Sequence, residues 1–461
     1  MAENEAEADR TPDGVHVGLD DGLVKEVEIA LDEDDALLVA ALCEPLHPAD
    51  LADLLQLVPP DQRTRIIGAL GEAFDVETFS YLDDVVREDL VRALGPDGAS
   101  ALIKELETDD ALEILADLDD EEKAAILASL PLPERTALQR GLAYPDYSAG
   151  RLMQREVVAV PDYWVVGQTI DYLRAKADLP DDFYDIYIVD PRFVPVGSVP
   201  LSNILRSRRN TPMRELRMKE LHTVPATMDQ EEVAFLFRQY GLVSVPVVDE
   251  EDRLLGAVTI DDAVDVMHEE AEEDFLKLGG VQETDLYQTP VRTMVQRMPW
   301  LVVNLGTAIV ASLVIAQFEG AIAQIVALAV LMPIVASMGG NAGTQTLTVT
   351  VRSLAVRELT TTNAWRMLGK EFLVSLMNGA IFIAIGFFLA VFWFDDLQLA
   401  AVFGVALLIN LLAAGVAGIA IPLVIDRLGL DPAVSSGVFL TTVTDVVGFF
   451  AFLGLAGYFL F

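Results

Sequence analysis

Five stretches of apolar residues follow one another in the C-terminal part of the chain, and they constrain its fold more than any other feature. A helix that crosses the hydrocarbon core of a bilayer, about 30 Å thick, needs about 20 predominantly apolar residues. The approximate bounds of the stretches are Leu301–Phe318, Ala321–Met338, Phe372–Phe394, Leu399–Ile425 and Ala433–Phe461. The sequence therefore predicts an all-α membrane domain of five transmembrane helices, residues 299–461, embedded in a lipid bilayer.

The distribution of charge divides the chain near residue 290. The whole chain has a net charge of −41, although 52% of its residues are hydrophobic. Residues 291–461 hold seven Lys or Arg and eight Asp or Glu, which leaves 24 basic and 64 acidic residues before them. We therefore expect an acidic soluble part followed by a nearly neutral membrane part. Because an acidic surface repels the phosphate backbone, no nucleic-acid partner is expected.

The basic residues of the membrane part predict its orientation. They flank the predicted helices on one side only, and they are Arg292, Arg297, Arg352, Arg357, Arg366, Lys370 and Arg427. The two loops on the other side, "FEGA" and "FDDLQ", contain no Lys or Arg. Since cytoplasmic loops are enriched in Lys and Arg, we expect a multi-pass protein of the plasma (inner) membrane. Its N-terminus is predicted in the cytoplasm and its C-terminus outside.

Several classes of signal and site are not expected. The first residues, "MAENEAEADRTPDG", lack the basic and apolar regions of a signal peptide. Cys43 is the only cysteine, which excludes an internal disulfide, and the four histidines have no zinc-like spacing. The sequence contains neither a phosphate-binding loop of the GxxxxGK type nor a nucleophile elbow. None of these enzyme or cofactor signatures therefore accounts for the function.

Asp445 is the only charged residue between Ala433 and Phe461, in the middle of the last predicted helix. A carboxylate at this depth costs about 3 kcal/mol even on lenient insertion scales. No Lys or Arg lies within the five predicted stretches to pair with it. A protonated Asp with a structural role is one interpretation. The interpretation that we favour is that Asp445 faces an ion pathway.

The second predicted helix contains Pro333 and gives way to small and polar residues in "SMGGNAGTQTLT". Such a stretch survives at membrane depth only if it packs against protein or lines a wet cavity. Asn304, Asn378 and Asn410 add polar groups to three of the remaining predicted helices. For these three residues, hydrogen bonds between helices are an equally good interpretation.

The segments "PIVASMGGNAGTQTLTVTVRSLA" (333–355) and "TTVTDVVG" (441–448) together resemble the MgtE family of magnesium channels. The resemblance implies a homodimer with its pore at the subunit interface, where Asp445 of each subunit holds hydrated Mg²⁺. Two carboxylates beside a two-fold axis suit one divalent cation, and Mg²⁺ retains most of its waters. Asn341, Gly437 and Thr441 are weaker candidates for lining this pore.

The soluble part begins with an internal repeat. Residues 47–70 and 107–130 align without gaps, with leucines and isoleucines at matching helical positions and a polar break in the middle of each copy. This pattern predicts repeated helical hairpins of the α-solenoid type and resembles the N-terminal superhelical domain of the same family. We place that domain at residues 31–148. It follows an acidic tail, residues 1–30, which we expect to be flexible.

A second pair of repeats follows. Residues 156–162 match 220–226, and residues 187–205 match 246–264. Short β-branched runs separated by amphipathic helices predict an α/β unit twice over. The two copies resemble tandem CBS domains, which we place at residues 149–275.

The resemblance to CBS domains implies a regulatory ATP site. In such domains a Thr and an Asp three residues later hold the ribose hydroxyls, and "GAVTIDD" supplies Thr259 and Asp262. The first copy has Pro200 and Asn203 at the matching positions, so at most one good nucleotide site per subunit is expected. A purely structural CBS pair is the alternative.

The segment "TIDDAVDVMHEEAEEDFLKLGG" is predicted to form the most acidic helix of the chain. Carboxylates three or four residues apart repel one another and destabilise an isolated helix. The family resemblance implies that these carboxylates bind cytosolic Mg²⁺ and lock a connector (plug) helix, residues 276–298, over the pore. The implied sensing residues are Asp229, Glu231, Asp262, Asp265, Glu270, Glu273 and Asp274, with Asp109 or Asp110 as looser candidates.

The acidity of the soluble part has two alternative causes. The acidic helix could simply present a solvated surface. A salt-rich habitat also favours Asp and Glu over Lys, and the chain has only seven lysines. Adaptation to salt predicts acidity spread over the whole soluble surface, including the N-terminal tail.

The predicted function is a Mg²⁺-selective channel or transporter that closes when cytosolic Mg²⁺ binds the acidic domains. A carrier or exporter of another divalent cation, Mn²⁺ or Co²⁺, is the alternative, because these ions also accept oxygen ligands. An enzyme is not expected. An intramembrane aspartyl protease would need a second membrane Asp beside Asp445, and the predicted helices contain none.

Overall fold

A computed structural model describes residues 18–176, 179–180, 183–218, 220–281, 290–360 and 362–460. The chain divides into two compact units, one ending at Met267 and the other beginning at His268. The N-terminal unit contains an all-α domain and an α/β pair, and the C-terminal unit contains the long apolar helices.

The all-α domain is built from short helical hairpins. Its helices are α1 (Asp21–Asp32), α2 (Ala36–Cys43), α3 (Pro48–Leu57), α4 (Pro60–Leu70), α5 (Asp84–Ile103), α6 (Thr108–Asp117), α7 (Asp120–Ser129), α8 (Leu132–Gly141) and α9 (Ala149–Leu152), with 3₁₀ helices at Gly71–Ala73 and Val76–Tyr81. The hairpin of α3 and α4 recurs as α6 and α7 at the matching positions of the repeat. Leu55 and Ile66 are fully or almost fully buried in the first copy, as are their counterparts Leu115 and Ile126 in the second. The predicted hairpin repeat is therefore present.

The prediction of a flexible tail up to residue 30 is wrong over its last ten residues. Helix α1 starts at Asp21, after Asp20, whose side chain accepts a hydrogen bond from the Gly22 N–H at the start of the helix. Val27, Ala30 and Leu31 are at most 2% exposed. These apolar residues recur at helical spacing among the acidic ones, and burial of one face stabilises the helix. The rest of the predicted tail, residues 1–17, lies outside the described residues.

The α/β pair consists of two three-stranded sheets with the same topology. Their strands are β1 (Ala159–Pro161), β2 (Asp185–Val189), β3 (Pro195–Pro200), β4 (Val224–Pro225), β5 (Ser244–Val248) and β6 (Leu254–Thr259), and their helices are α10 (Val166–Ala175), α11 (Leu201–Arg206), α12 (Met213–Leu216) and α13 (Gln230–Tyr240). In each sheet the first strand pairs parallel to the second, and the second pairs antiparallel to the third. Each antiparallel pair shifts register next to a glycine partner, Gly197 in one copy and Gly256 in the other. The predicted duplication is present down to this irregularity.

The acidic helix α14 (Ile260–Leu278) follows β6 directly. The predicted connector, residues 276–298, is not one separate helix in the part of the chain that is described. Its first residues end α14, and residues 290–298 are the first turns of a long helix that continues into the membrane part. Residues 282–289 lie outside the described residues.

Five helices of the C-terminal unit are long and apolar enough to cross a membrane, as predicted. They are α15 (Pro290–Ala316), α17 (Ala327–Ala355), α18 (Ala364–Phe394), α19 (Leu397–Arg427) and α20 (Pro432–Phe459), and a short helix α16 (Glu319–Gln324) precedes α17.

The second long helix differs from the prediction at both ends. Residues 319–324 form α16 instead, and α17 continues without a break through the glycine-rich polar stretch to Ala355. Its threonines remain compatible with a helix because their hydroxyls bond to carbonyls one turn back, as Thr348 does to Thr344 and Thr350 does to Thr346. Loss of apolar character was therefore a poor guide to where this helix ends.

Helix α19 is the central helix of the C-terminal unit and packs against α17, α18 and α20. Phe403 of α19 and Phe452 of α20 are fully buried and meet edge to face, with ring centroids 5.8 Å apart. On α18, by contrast, Phe388 and Phe392 are 72% and 85% exposed. Aromatic and aliphatic side chains on such an outer face suit contact with lipid tails.

Candidate functional site

Asp445 lies near the middle of α20, on a face that the other described residues leave largely open. A buried stripe recurs every four residues along this helix, and its members are Ser436, Leu440, Thr444, Gly448, Phe452 and Ala456. The neighbouring stripe of Gly437, Thr441 and Asp445 is only partly buried or exposed. Within the described residues, no hydrogen-bond donor or basic group contacts the Asp445 carboxylate. Three of the predicted pore residues thus share one open face of α20.

Helix α17 adds further uncovered polar groups near mid-height. The exposed polar residues there are Asn341, Thr344, Gln345 and Thr348. Asn341 Nδ2 makes one long hydrogen bond, 3.4 Å, to Ser337 Oγ. The two helices touch closely at Gly343, where an added Cβ would lie 2.9 Å from Leu440 Cδ1. Because polar groups at membrane depth cannot face lipid cheaply, this surface requires water or another protein surface.

The hydroxyls of α20 bond to its own backbone. Thr441 Oγ1 donates to the Gly437 carbonyl at 3.1 Å, and Thr442 Oγ1 donates to the Val438 carbonyl at 2.7 Å. The Gly437 carbonyl, in a helix, also accepts a backbone N–H. Both of its lone pairs are therefore engaged, and the Thr441 hydroxyl oxygen is the better placed group to accept a hydrogen bond from an ion's water.

Sequence reasoning missed a second carboxylate inside a membrane helix. Helix α18 begins at Ala364, so Glu371 is its eighth residue rather than lying before it. Thr346 Oγ1 of α17 donates to Glu371 Oε2 at 3.2 Å. Thr346 is only 7% exposed. The polar pair joins α17 to α18, and the charged "GKEF" just before the apolar stretch was the signal that could have revealed it.

Within the N-terminal unit, carboxylates gather where the start of α6 meets the second α/β copy. Asp109, in the first turn of α6, is only 8% exposed, and its Oδ1 accepts the Asp110 N–H at 3.1 Å. Burial, followed by the nearby carboxylates of Asp262, Asp110 and Glu107, holds the pKa of Asp109 well above its usual range. We call this group, with Glu156, the acidic cluster. Asp109 thus belongs with Asp262, although its sequence context indicated this only loosely.

Three further members of the acidic cluster, Asp262, Asp110 and Glu107, show the same effect. Burial raises the pKa of Asp262 to about 7 and that of Asp110 to about 6. The pKa of Glu107 is raised to about 7, first by desolvation of its carboxyl group and then by neighbouring carboxylates. Glu107 Oε2 accepts Gln154 Nε2 at 2.9 Å, and Glu156 Oε1 accepts Thr108 Oγ1 at 2.7 Å. Negative charge is costly here, so a cation would be stabilising.

The predicted ribose-binding pair is in contact. Thr259 Oγ1 donates to Asp262 Oδ2 at 2.7 Å, and the Thr259 N–H lies 3.3 Å from the same oxygen. Asp262 therefore belongs to both the predicted ATP site and the acidic cluster. In the first copy, Pro200 ends β3 and Asn203 lies on α11, so no equivalent pair exists there.

The remaining predicted sensing residues of the N-terminal unit have separate surroundings. Asp229 is the N-cap of α13, and its Oδ1 accepts the Glu231 N–H at 2.9 Å. Helix capping accounts for Asp229 without a metal. Asp265 is exposed on α14, and its charge adds to the effects of burial and Glu77 that raise the pKa of Tyr81.

In the C-terminal unit, the end of α14 is tied to the start of α20. Lys277 Nζ contacts Glu273 Oε1 at 2.5 Å and Asp431 Oδ2 at 2.8 Å. Asp431 is also the N-cap of α20, because its Oδ1 accepts the Ala433 N–H at 2.8 Å. Leu278 packs against the cluster that contains Ala433 and Leu440. Sequence reasoning missed Lys277, the one lysine of the acidic helix.

The charge of Asp274 is affected by the same contact. Burial and then the Asp431 carboxylate raise the pKa of Asp274 to about 6, while Lys277 acts in the opposite direction. Glu270 and Glu273 add smaller unfavourable effects. The predicted sensing residues Glu270, Glu273 and Asp274 therefore lie beside the link between α14 and α20.

Within the described residues, no three His, Cys, Asp or Glu side chains are arranged to hold a metal ion. The acidic cluster and the Glu273–Asp274 region each offer carboxylate oxygens, the ligands that Mg²⁺ prefers. At either place, water molecules or groups from another protein chain would have to complete the set of metal ligands.

Comparison with known proteins identifies the family. Family models match residues 332–455 (MgtE, divalent cation transporter), 46–147 (MgtE intracellular N domain) and 213–269 (CBS domain). The magnesium transporter MgtE of Enterococcus faecalis is 33% identical over 320 residues, which cover 68% of this chain and 70% of that protein. The MgtE of Thermus thermophilus is 36% identical over 314 residues, 67% of this chain and 69% of that protein. The chain belongs to the MgtE family of magnesium transporters.

The solved structures agree with this membership. The cytosolic domain of an Mg²⁺ channel MgtE in complex with ATP superposes with a TM-score of 0.50 at 29% identity, over 53% of this chain and 99% of that one. The predicted MgtE resemblance and fold class are confirmed: an MgtE superhelical domain, CBS domains and a membrane domain of five helices. This MgtE family member is thus a multi-pass membrane protein of a transporter family.

Proposed function

We propose that this protein is a Mg²⁺-selective channel of the plasma (inner) membrane that works as a homodimer. Its N-terminus lies in the cytoplasm and its C-terminus outside. The observation that carries the proposal is the open face of α20, on which Thr441 is exposed, Asp445 is partly buried near the middle of the helix, and Gly437 lies two turns before Asp445. The magnesium transporters among its relatives support the choice of ion.

A second copy of the chain explains why this face is open. If a two-fold axis runs beside α20, it brings two Asp445 carboxylates to one pore. Two negative charges balance one divalent cation, and Mg²⁺ gives up its waters reluctantly. The carboxylates and the Thr441 hydroxyls then hold the hydrated ion rather than the bare one. Asn341 of α17 supplies a further polar group near the same height.

Ion flux into proteoliposomes tests this proposal. We expect Asp445→Ala to abolish Mg²⁺ flux in a folded protein and Asp445→Asn to reduce the preference for Mg²⁺ over monovalent ions. Asp426→Asn, in the last turn of α19, is the matched control and should keep wild-type flux. Normal Mg²⁺ flux through folded Asp445→Ala would contradict the proposal. Comparing Mg²⁺ with Mn²⁺, Co²⁺ and Ca²⁺ decides between a magnesium channel and a carrier of another divalent ion.

We also propose that cytosolic Mg²⁺ closes the channel through Asp229, Glu231, Asp262, Asp265, Glu270, Glu273 and Asp274. In two subunits side by side, each pair of carboxylates about 5 Å apart repels by about 3 kcal/mol at an effective dielectric constant near 20. Bound Mg²⁺ reverses the sign of such contacts and favours a compact, closed form. It can do so only through its higher affinity for that form.

The contact between Lys277 and Asp431 supports this proposal, because this ion pair links the end of the acidic helix directly to the start of α20. Neutralising Asp265, Glu270, Glu273 and Asp274 together should leave flux insensitive to millimolar Mg²⁺ on the cytoplasmic side. Unchanged inhibition in that variant would show that the acidic helix is only a solvated surface.

ATP is the proposed regulatory ligand of the second CBS copy, at Thr259 and Asp262. The ATP complex of the related cytosolic domain supports this assignment. Calorimetry on the full-length protein should find about one ATP per subunit, and Thr259→Val should weaken binding. An absence of binding at millimolar ATP would leave the CBS pair with a structural role.

A further inference from the structure

Asn410 of α19 is a fully buried polar side chain of the membrane part. Its Nδ2 donates to the Val335 carbonyl of α17 at 2.8 Å. Its Oδ1 is equally buried and has no hydrogen-bond partner within the described residues. An unsatisfied amide oxygen in an apolar interior costs free energy. A leucine, with the same number and branching of side-chain heavy atoms, would bury no polar group here, so packing alone does not account for this asparagine.

Two glycines make room for the Asn410 amide. An added Cβ at Gly339 of α17 would lie 2.2 Å from Nδ2, and one at Gly448 of α20 would lie 2.7 Å from the same atom. Both distances are shorter than real Cβ contacts. The amide therefore lies between α17 and α20, with a glycine facing it from each of these two helices.

The contact fixes both the position and the orientation of the amide. If the side chain flipped, Oδ1 would face the Val335 carbonyl oxygen, and two acceptors would repel each other. Only one orientation is therefore stable. Because the amide lies directly against Gly339 and Gly448, it sets how far α20 can slide or turn relative to α17.

Asp445 lies less than one turn before Gly448 on α20, and Asn341 lies two residues after Gly339 on α17. The contact of the Asn410 amide with these two glycines thus sets the height of the polar face of α20 relative to that of α17. We propose that Asn410 is a positioning residue for ion selection: it holds the Asp445 carboxylate in register with the polar face of α17. This inference rests on the proposed role of Asp445 in the pore.

The test uses full-length protein in proteoliposomes and measures the Mg²⁺ concentration for half-maximal flux, the maximal flux and the Mg²⁺/Ca²⁺ preference. Asn410→Leu removes the hydrogen bond and keeps the number and branching of the side-chain heavy atoms. We expect its half-maximal concentration to rise about tenfold or more and its preference for Mg²⁺ to fall, because small misplacements of a binding group have large effects. Thermal unfolding is measured alongside, because the loss of a merely structural residue would change the Tm.

The glycines provide matched pairs. Gly339→Ala should reproduce the loss of preference, whereas Gly340→Ala, where an added Cβ meets nothing within 4 Å, should not. Gly448→Ala should likewise be impaired and Gly457→Ala, which also has open space, should not.

The outcomes separate the inference from the proposal on which it rests. If Asp445→Asn alters selectivity but Asn410→Leu and Gly339→Ala retain wild-type half-maximal concentration and preference, the positioning role is wrong. If Asp445→Asn itself has no effect, the proposed pore is wrong. If the variants of Asn410, Gly339 and Gly448 only lower the yield of folded protein and none changes selectivity, Asn410 has a structural role. The inference is then contradicted as well.

Discussion

Carboxylates have two different surroundings in this protein, and we propose a different purpose for each. Asp445 stands without a partner within the described residues, on an open face of one helix. Asp109 is buried among other carboxylates, and its pKa is held well above the usual range by burial and by Asp262. The first arrangement suits an ion that passes. The second suits an ion that binds and relieves repulsion.

The pH dependence of stability tests the acidic cluster. The pKa of Asp262 is raised to about 7 in the folded state, and that of Asp109 is also raised. A carboxyl group whose pKa is raised in the folded state stabilises that state fully at acidic pH. This stabilisation is lost as the pH rises through the folded-state pKa. We therefore expect the Tm of the Mg²⁺-free protein to fall between about pH 5 and pH 8. Thermal unfolding of the full-length protein in detergent measures it.

Asp109→Asn sharpens this test. Asparagine keeps the hydrogen bond from Asp110 and removes the charge, so at pH 8 it should stabilise the Mg²⁺-free protein by about 1 kcal/mol, or roughly 2–4 °C in Tm. Millimolar Mg²⁺ should raise the wild-type Tm more than that of the variant. Asp89→Asn, on α5, is a control at an unrelated acidic position. A wild-type Tm that rises with pH in the absence of Mg²⁺ would contradict the assignment.

At the scale of helices and strands, the spacing of apolar residues predicted the elements better than the overall polarity of a segment did. The hairpin repeat and the duplicated sheets followed from spacing alone. Helix α1 was overlooked because its acidic residues outweighed three buried apolar ones, and α17 was cut short because polar residues replaced apolar ones. Capping residues and breaks in the backbone determine where a helix ends. A threonine-rich helix can continue because its hydroxyls bond to carbonyls of the same helix.

Contacts between distant helices could not be predicted from one sequence. Lys277 and Asp431 are 154 residues apart, and neither has an unusual local pattern. Asn410 was recognised as polar, but its place between Gly339 and Gly448 depends on three helices meeting. The position of Asp445, by contrast, was predictable, because a single charge in a long apolar run is visible in the sequence.

The link between α14 and α20 gives a prediction at this scale. Lys277→Met removes a cation that neutralises both Glu273 and Asp431, so α14 should detach from α20 more readily. Limited proteolysis between residues 270 and 300, followed by mass spectrometry, should require about tenfold more Mg²⁺ for protection, the equivalent of about 1.4 kcal/mol.

Lys277→Arg is the matched control for this link. Arginine retains the positive charge and can reach both carboxylates, so protection should return towards the wild-type Mg²⁺ dependence. Equal protection of the wild type and Lys277→Met at every Mg²⁺ concentration would show that the link has no part in gating.

Across the whole molecule, charge and hydropathy separate the work of the two units. Nearly all of the net charge of −41 precedes residue 291, where carboxylates are available to sense cations. Residues 291–461 are almost neutral, and Asp445, in the middle of their last helix, has no partner within the described residues. The limits that we propose for the CBS pair and the membrane domain, 149–275 and 299–461, follow this division. A salt-rich habitat would add acidity to the soluble surface but would not explain Asp445.

The central claim is that a wet ion pathway runs along the open face of α20. Because Cys43 is the only cysteine, a Cys43→Ala protein offers a clean background for single cysteines on that helix. Thr441→Cys lies one turn before Asp445 on the open face, and Val443→Cys is also exposed but lies about 200° around the helix from Thr441.

The decisive measurement is the reaction of these two cysteines with a charged, water-soluble thiol reagent in proteoliposomes, followed by Mg²⁺ flux. We predict that Thr441→Cys is modified, that modification blocks flux, and that millimolar Mg²⁺ slows the reaction. Val443→Cys should remain unmodified because it faces lipid or protein. Modification of Val443→Cys but not of Thr441→Cys, or full Mg²⁺ flux through modified Thr441→Cys, would contradict the claim.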